Sequence, residues 1–368
     1  MLAFYLFPIA YAFLSFPVAA LLFTFPFLLV QYRSHGYVHK YRALLLYLFL
    51  LYIMNAVFLI LLPLPPSIHN DPPAAESYMQ WIPFHFVHDF LKETNVIWES
   101  PSTYFRMLKE RAFLQIMLNV LLTVPFGLFL QVYFRAGWLL CLLLTLGLSL
   151  FFELTQVTGI YGIFDYPYRL FDVDDVMTNM AGGLLGFILA AWLSSRLPRI
   201  DKLNENVDLA KQRVSYTRRG MAFLIDWFLL IPGIAVLVAL RAPVPYLIAI
   251  TLYFIALPYC WNGQTFGKAL VRIRLVGSGE HNQLQLRQLL IRYGLLYGIA
   301  GGLNVLMVRL LAERAVNSIA ILPFLLVVFV LNAAIGIHLL RCLFNRSKRL
   351  LYEEWSGTKH IITIHSRK

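Results

Sequence analysis

Apolar residues in this chain come in long unbroken runs, not in alternating faces. Runs cover residues 2–30, 43–62, 112–134, 136–157, 220–240, 243–261, 289–310 and 318–340, and one more ends near 193. Each has about the length that crosses a bilayer core as a helix, roughly 20 residues. Lipid offers the backbone no hydrogen-bond partners, so a helix, which satisfies its own backbone, is the expected form. The pattern therefore predicts an all-α polytopic membrane protein with about nine transmembrane helices. Pro8, Pro17 and Pro26, each after a Phe, predict kinks in the first helix. That run has no Lys or Arg ahead of it and extends to residue 30, so it reads as a span and not as a cleaved leader.

Three stretches break the pattern. Residues 63–111 are polar and open with five prolines, but Trp81, Phe84, Phe86, Trp98 and Phe105 predict a loop with structure of its own. Val271-Arg272-Ile273-Arg274-Leu275 alternates with period two, as a strand or a surface-lying segment does. Residues 194–217 form a basic linker. It divides a first domain, 1–193, with five spans from a second, 218–368, with four spans and a basic tail.

Composition agrees: 60% of residues are hydrophobic, 14% are charged, and the mean hydropathy is +0.68. The net charge of +12 calls for no nucleic acid, because cytosolic loops of membrane proteins are rich in Lys and Arg. If the N-terminus lies outside, cytosolic segments carry 23 of the 31 Lys and Arg and outer segments carry 8. The expected topology is N-terminus outside and C-terminus in the cytosol, with loops 63–111 and 158–175 facing outward. Membrane lipids are then the obligate partners. Cys141, Cys260 and Cys342 lie in or beside apolar runs without a CxxC spacing and read as packing residues. His85, His88 and Asp89 fit no zinc signature, so neither a metal nor another cofactor is expected.

The candidate chemistry gathers at Arg169-Leu-Phe-Asp172-Val-Asp174-Asp175-Val-Met-Thr-Asn179-Met-Ala-Gly182. Asp172, Asp175, Asn179, Gly182 and Gly186 share one helical face. Asp172 suits an N-cap, and carboxylates in a first turn suit the helix dipole. Glu153 and Gln156 end the preceding span, and Asn119 lies in the one before that. Asn119, Glu153, Gln156, Arg169, Asp172, Asp175 and Asn179 are thus expected to meet at the outer surface. Such a cluster suits a polar headgroup, a cation, or a self-satisfied network that locks the bundle. Two carboxylates of split pKa can also run acid–base chemistry, but no nucleophile motif accompanies them, and a non-enzymatic reading is preferred. In the second half, Asp226 lies two turns deeper than Arg219 on one face and needs a partner, for which Arg219, Lys268 and Arg292 are candidates. That arrangement fits either a fixed ion pair or a proton or cation relay. Gly294, Gly298 and Gly302 recur every four residues, a spacing that permits close helix contact.

Two resemblances follow from these motifs. Residues 40–193 resemble the VanZ-like family in Trp81-Ile-Pro-Phe84, in Asn119 through Gly127, in Glu153-Leu-Thr-Gln156 and in Arg169-x-x-Asp172-x-x-Asp175-x-x-x-Asn179-x-x-Gly182. Residues 210–365 resemble the RDD family in Arg219, Ala222 and Asp226, in Gly263-Gln264-Thr265-x-Gly267-Lys268 and in Glu353 through Thr358, with Glu353 where the family has its second Asp. The resemblance implies a multi-pass protein of the cytoplasmic membrane in a Gram-positive bacterium. For the first half it implies a contribution to teicoplanin-type glycopeptide resistance, and for some members of the second family it implies ion movement. The leading expectation from the residues is that the outward cluster binds an envelope lipid or (lipo)glycopeptide; the alternative is an ion or small-solute transporter that uses the charges Arg219, Asp226, Lys268, Arg292 and Glu353. A membrane enzyme that modifies a lipid headgroup is the further alternative.

Overall fold

The computed structural model describes residues 2–73, 77–94, 107, 110–194, 200, 213–279, 282–312, 321–344 and 350–363. Trp98, Phe105 and most of the basic linker lie outside the described residues. The fold is all-α, and the chain is a multi-pass membrane protein: eight described helices are long and apolar enough to cross a membrane. The run expected to cross at 243–261 is instead the shorter apolar helix Pro245–Cys260. The chain divides into two compact units, one of residues 1–23 and 39–206 and the other of residues 24–38 and 207–368. The first helix, α1 (Leu2–His35), runs on through all three prolines and contributes to both units.

In the first unit, α2 (Lys40–Leu61) leads into the long polar loop, which is ordered where it is described. There it forms strand β1 (Met79–Gln80) and helix α3 (His85–Glu93). Three spans follow: α4 (Arg111–Val132), α5 (Trp138–Val157) and α6 (Val173–Leu193). Strand β2 (Phe171–Asp172) precedes α6 and pairs in parallel with β1, Met79 opposite Phe171 and Gln80 opposite Asp172. The loop before α3 and the loop before α6 therefore lie at the same end of the bundle.

Glycine sets how closely α4 and α6 approach. A methyl group at Gly182 would run into the Val120 carbonyl, one at Gly186 into the Val124 carbonyl, and one at Gly127 into the Gly183 carbonyl. Backbone-to-backbone contact of this kind replaces the hydrophobic drive that lipid removes. Polar side chains add to it: Thr123 Oγ1 donates to the Asn179 carbonyl (2.6 Å), and Asn179 Nδ2 donates to Ser149 Oγ on α5 (2.9 Å). Tyr52 on α2 donates to the Leu122 carbonyl (2.8 Å), and Phe49 stacks on Phe129 with ring centroids 3.8 Å apart.

The second unit begins at α7 (Tyr216–Ala239), capped by Ser215. Helix α8 (Pro245–Cys260) has a π-helical middle, Thr251–Ala256. It returns the chain to the end of α7 from which α7 started. There α9 (Phe266–Leu270) rests on Ala222 and Asp226, and a methyl at Gly267 would overlap both. The period-two segment is indeed a strand, β3 (Ile273–Gly277), antiparallel to β4 (Thr358–Ile362). Between them lie α10 (Leu286–Ala312), α11 (Leu322–Phe344) and the short α12 (Leu351–Ser356). Asn304 and Asn332 exchange amide hydrogen bonds at 3.1 and 2.9 Å and so tie α10 to α11. The core around Leu230, Phe254, Leu289, Tyr293 and Tyr297 is aromatic and aliphatic.

The glycine row on α10 does not do what its spacing predicts. Methyl groups at Gly294, Gly298 and Gly302 would meet nothing, and Gly294–Gly301 is a π-helical segment that breaks the four-residue register. In α6 the same logic holds. Gly186→Ala is expected to destabilise the first unit by about 1–3 kcal/mol and to lower its melting temperature in detergent. Gly147→Ala, whose methyl points into open space, should leave it unchanged. Equal melting temperatures for the two variants would dismiss the glycine contact as a stabilising feature.

Candidate functional site

The acidic stretch before α6 works first as a set of helix caps. Asp172 takes extended backbone angles and accepts the Asp174 N–H at 2.9 Å, so it is the N-cap of α6. Burial pushes its carboxyl up from the usual range, against the pull of that hydrogen bond. Asp174, buried in the first turn, turns away from its own helix. Its two oxygens accept the N–H groups of Phe84 (2.6 Å) and Phe86 (3.0 Å), the open amino end of α3. Phe84 sits there at φ 63°, a left-handed conformation that costs a bulky residue energy and that the Asp174 bond helps hold. Trp81 packs on Phe171 with ring centroids 4.9 Å apart. Trp81-Ile-Pro-Phe84 is thus the segment that fastens the long loop to α6.

The other members of the predicted cluster come together in part. Asp175 Oδ1 accepts from Asn119 Nδ2 (2.5 Å) and Gln115 Nε2 (3.2 Å), both on α4. Buried Glu153 accepts the Asp172 N–H at 3.0 Å, which joins α5 to the start of α6. Asn179 lies deeper, with its Oδ1 buried and without a partner. Gln156 points elsewhere and donates to the Ile60 carbonyl of α2 at 2.9 Å. Arg169 is exposed and makes no hydrogen bond or ion pair among the described residues, although its charge reaches Glu153 and Asp175.

Asp226 corrects an expectation. Its partners are none of Arg219, Lys268 and Arg292. Oδ1 accepts from Tyr253 (2.8 Å) and from the Gly267 N–H (2.7 Å), and Oδ2 accepts from Thr265 Oγ1 (2.7 Å). A neutral phenol, a hydroxyl and the amino end of α9 surround it. Lys268 Nζ, also buried, donates to Tyr293 Oη at 2.6 Å and lies 5.2 Å from that ring's centroid.

Family models match two successive segments, VanZ/LLP1 over residues 49–194 and the RDD family over residues 213–352. The chain joins a VanZ-like domain to an RDD domain. Searches of curated proteins and of solved structures found no match.

In the RDD domain the remaining candidates form a second cluster around Glu353. Arg219 Nη1 bridges both carboxylate oxygens at 3.0 and 2.9 Å, Arg292 Nη2 lies 3.3 Å from Oε1, and His360 Nδ1 lies 3.2 Å from it. Arg292 also donates to Thr358 Oγ1 (2.8 Å) and stacks 4.7 Å from the Tyr352 ring centroid. Glutamate in place of the family's aspartate thus still reaches both arginines. Burial raises the Glu353 carboxyl, but the His360 contact and the two guanidinium groups outweigh it and hold it well below the carboxylate range. Burial among those same cations lowers the His360 imidazole to about 3. One buried arginine escaped the sequence reading. Arg218 donates to the carbonyls of Val271 (2.7 Å), Gly36 (2.7 Å) and Arg272 (2.9 Å), and Tyr32 stacks beside it. Only its place beside Arg219 at the start of a span signalled it. Among the described residues no group of three or more His, Cys, Asp or Glu is arranged to hold a metal.

His360 is expected to cost the second unit stability in acid. Its folded value, about 3, lies below the ordinary 6.5. Between those values the unfolded chain binds a proton that the folded chain does not, so stability rises with pH across that window. Glu353, with a depressed value, adds loss in the same direction once the pH falls below the usual carboxylate range. Thermal unfolding from pH 4 to 7 is expected to show this slope and His360→Gln to flatten it. A slope of equal steepness in the variant would place the acid sensitivity elsewhere.

Proposed function

We propose that the VanZ-like domain binds the charged headgroup of an envelope lipid or lipoglycopeptide at the mouth formed by Arg169, Glu153 and Asp175, and thereby contributes to teicoplanin-type glycopeptide resistance. Arg169 carries the reading. It is an exposed guanidinium with no hydrogen-bond or ion-pair partner among the described residues, standing within electrostatic reach of two carboxylates. The other charged groups here are taken up by backbone N–H groups or amides, so they shape the mouth and leave Arg169 to meet an anionic group from outside. Gln115 and Asp175 at the rim suit hydroxyl or amine donors on the same ligand. The positive-inside count supports an outward mouth and a cytosolic C-terminus. Resistance conferred by expression in a susceptible Gram-positive host should fall for Arg169→Ala and for Glu153→Gln with Asp175→Asn, at matched membrane levels, with teicoplanin affected more than vancomycin. Protection that persists in all of these variants would make the cluster purely structural.

A second reading concerns the RDD domain, as an ion or small-solute transporter. Asp226 is held by neutral donors and by a helix amino end. A carboxylate without a fixed cationic partner can exchange a proton or a cation more readily than one locked to arginine. Vesicles containing the protein should show pH- or sodium-dependent flux that Asp226→Asn abolishes. Flux that survives this change would exclude Asp226 from the path.

A further inference from the structure

Segment 77–93 presents apolar surface that the described residues leave exposed. Trp81, Ile82, Phe84, Val87 and Leu91 are 41–66% exposed, although they lie outside every span. At 100° per residue, α3 divides cleanly. Phe86, Val87, Phe90 and Leu91 occupy one half of its circumference, and His85, His88, Asp89 and Lys92 occupy the other. Phe86 and Phe90 are half-buried on the helix that packs against α4, and Val87 and Leu91, further round the apolar half, are exposed. Phe84, the residue before the helix, is exposed as well.

Two observations set the depth of this patch. Asp174, in the first turn of the span α6, grips the amino end of α3, and β1 is paired with β2 immediately before that span. The segment therefore lies where the spans end, not on a domain far from the bilayer. On α4, which α3 packs against, Met117 and Leu121 are exposed members of the apolar surface that spans turn to lipid. The exposed edge of α3 is of the same apolar kind as that surface.

We propose that residues 81–91 are an interfacial anchor. Helix α3 lies in the headgroup layer of the leaflet at this end of the bundle. Trp81, Ile82, Phe84, Val87 and Leu91 enter the acyl boundary, while His88 and Lys92 rise to the phosphates. Trp81 and Phe84 have the amphipathic and aromatic character suited to that depth, and Lys92 meets the anionic headgroups. The Asp174 clamp then fixes the rim of the VanZ-like mouth at headgroup level. The inference does not depend on what the mouth binds.

The test uses the full chain with Cys260→Ser, reconstituted as a monomer in phospholipid nanodiscs with one spin label at Val87→Cys, Leu91→Cys, His88→Cys or Lys92→Cys. Labels at 87 and 91 should show severalfold higher oxygen accessibility, relative to a water-soluble nickel chelate, than labels at 88 and 92. A second measurement needs no cysteine: quenching of tryptophan emission by lipids brominated near the headgroup should drop measurably in Trp81→Phe. Labels at 87 and 91 that meet nickel as freely as those at 88 and 92 would overturn the proposal, as would labels shielded from both agents by protein. Unchanged quenching in Trp81→Phe would remove Trp81 from the anchor.

Discussion

A carboxylate buried on a membrane span must find hydrogen-bond donors inside the protein, and in both domains a donor is the amino end of a short helix laid against a span. Asp174 on α6 holds α3, and Asp226 on α7 holds α9. Each arrangement settles two problems at once. The buried charge gains donors and a favourable dipole, and the short helix gains a cap that its own preceding residue does not fully supply. One contact positions the loop segment before α3; the other holds the turn that carries Lys268, which meets Tyr293, and that leads into β3.

The Glu353 cluster solves the same problem with charge. Two guanidinium groups and an imidazole surround one carboxylate, and most of these side chains are buried. Such a group is expensive to break, because removing one partner leaves the others unpaired in a poor solvent for charge. It joins the start of α7, the start of α10, α12 and β4. The RDD domain thus has a rigid polar knot at one end of its spans. Deeper among them lies Asp226, held by neutral donors instead of by charge.

Much of this was legible in the sequence because lipid imposes strict rules. Span lengths, the strand at 273–277 and the N-cap role of Asp172 all follow from local pattern. So does the meeting of Asn119, Glu153, Asp172 and Asp175, since helix faces and short loops leave few alternatives. Partner choice was less legible. Asp226 was expected to seek a cation, but spacing along one helix says nothing about a turn that arrives from 40 residues later bearing a free N–H. Gln156 was expected in the outer cluster and bonds to α2 instead, because a single hydrogen bond to a carbonyl leaves no motif. The glycine row on α10 failed for a different reason: a π-helical turn shifts the face that the spacing assumes.

The later part of the first helix belongs with the downstream half of the chain. Residues 24–38 belong to the second unit, where Gly36 supplies a carbonyl to Arg218, Tyr32 meets Ser215 at 3.1 Å, and Tyr32 joins the core with Met221 and Val271. Those residues lie ahead of both family segments in the sequence. The RDD unit therefore borrows a piece of chain made before the VanZ-like domain, and the ribosome must finish both domains before the second can close around it. A cut in the basic linker would not yield two complete modules, since the downstream fragment would lack the wall against which its most buried arginine is seated.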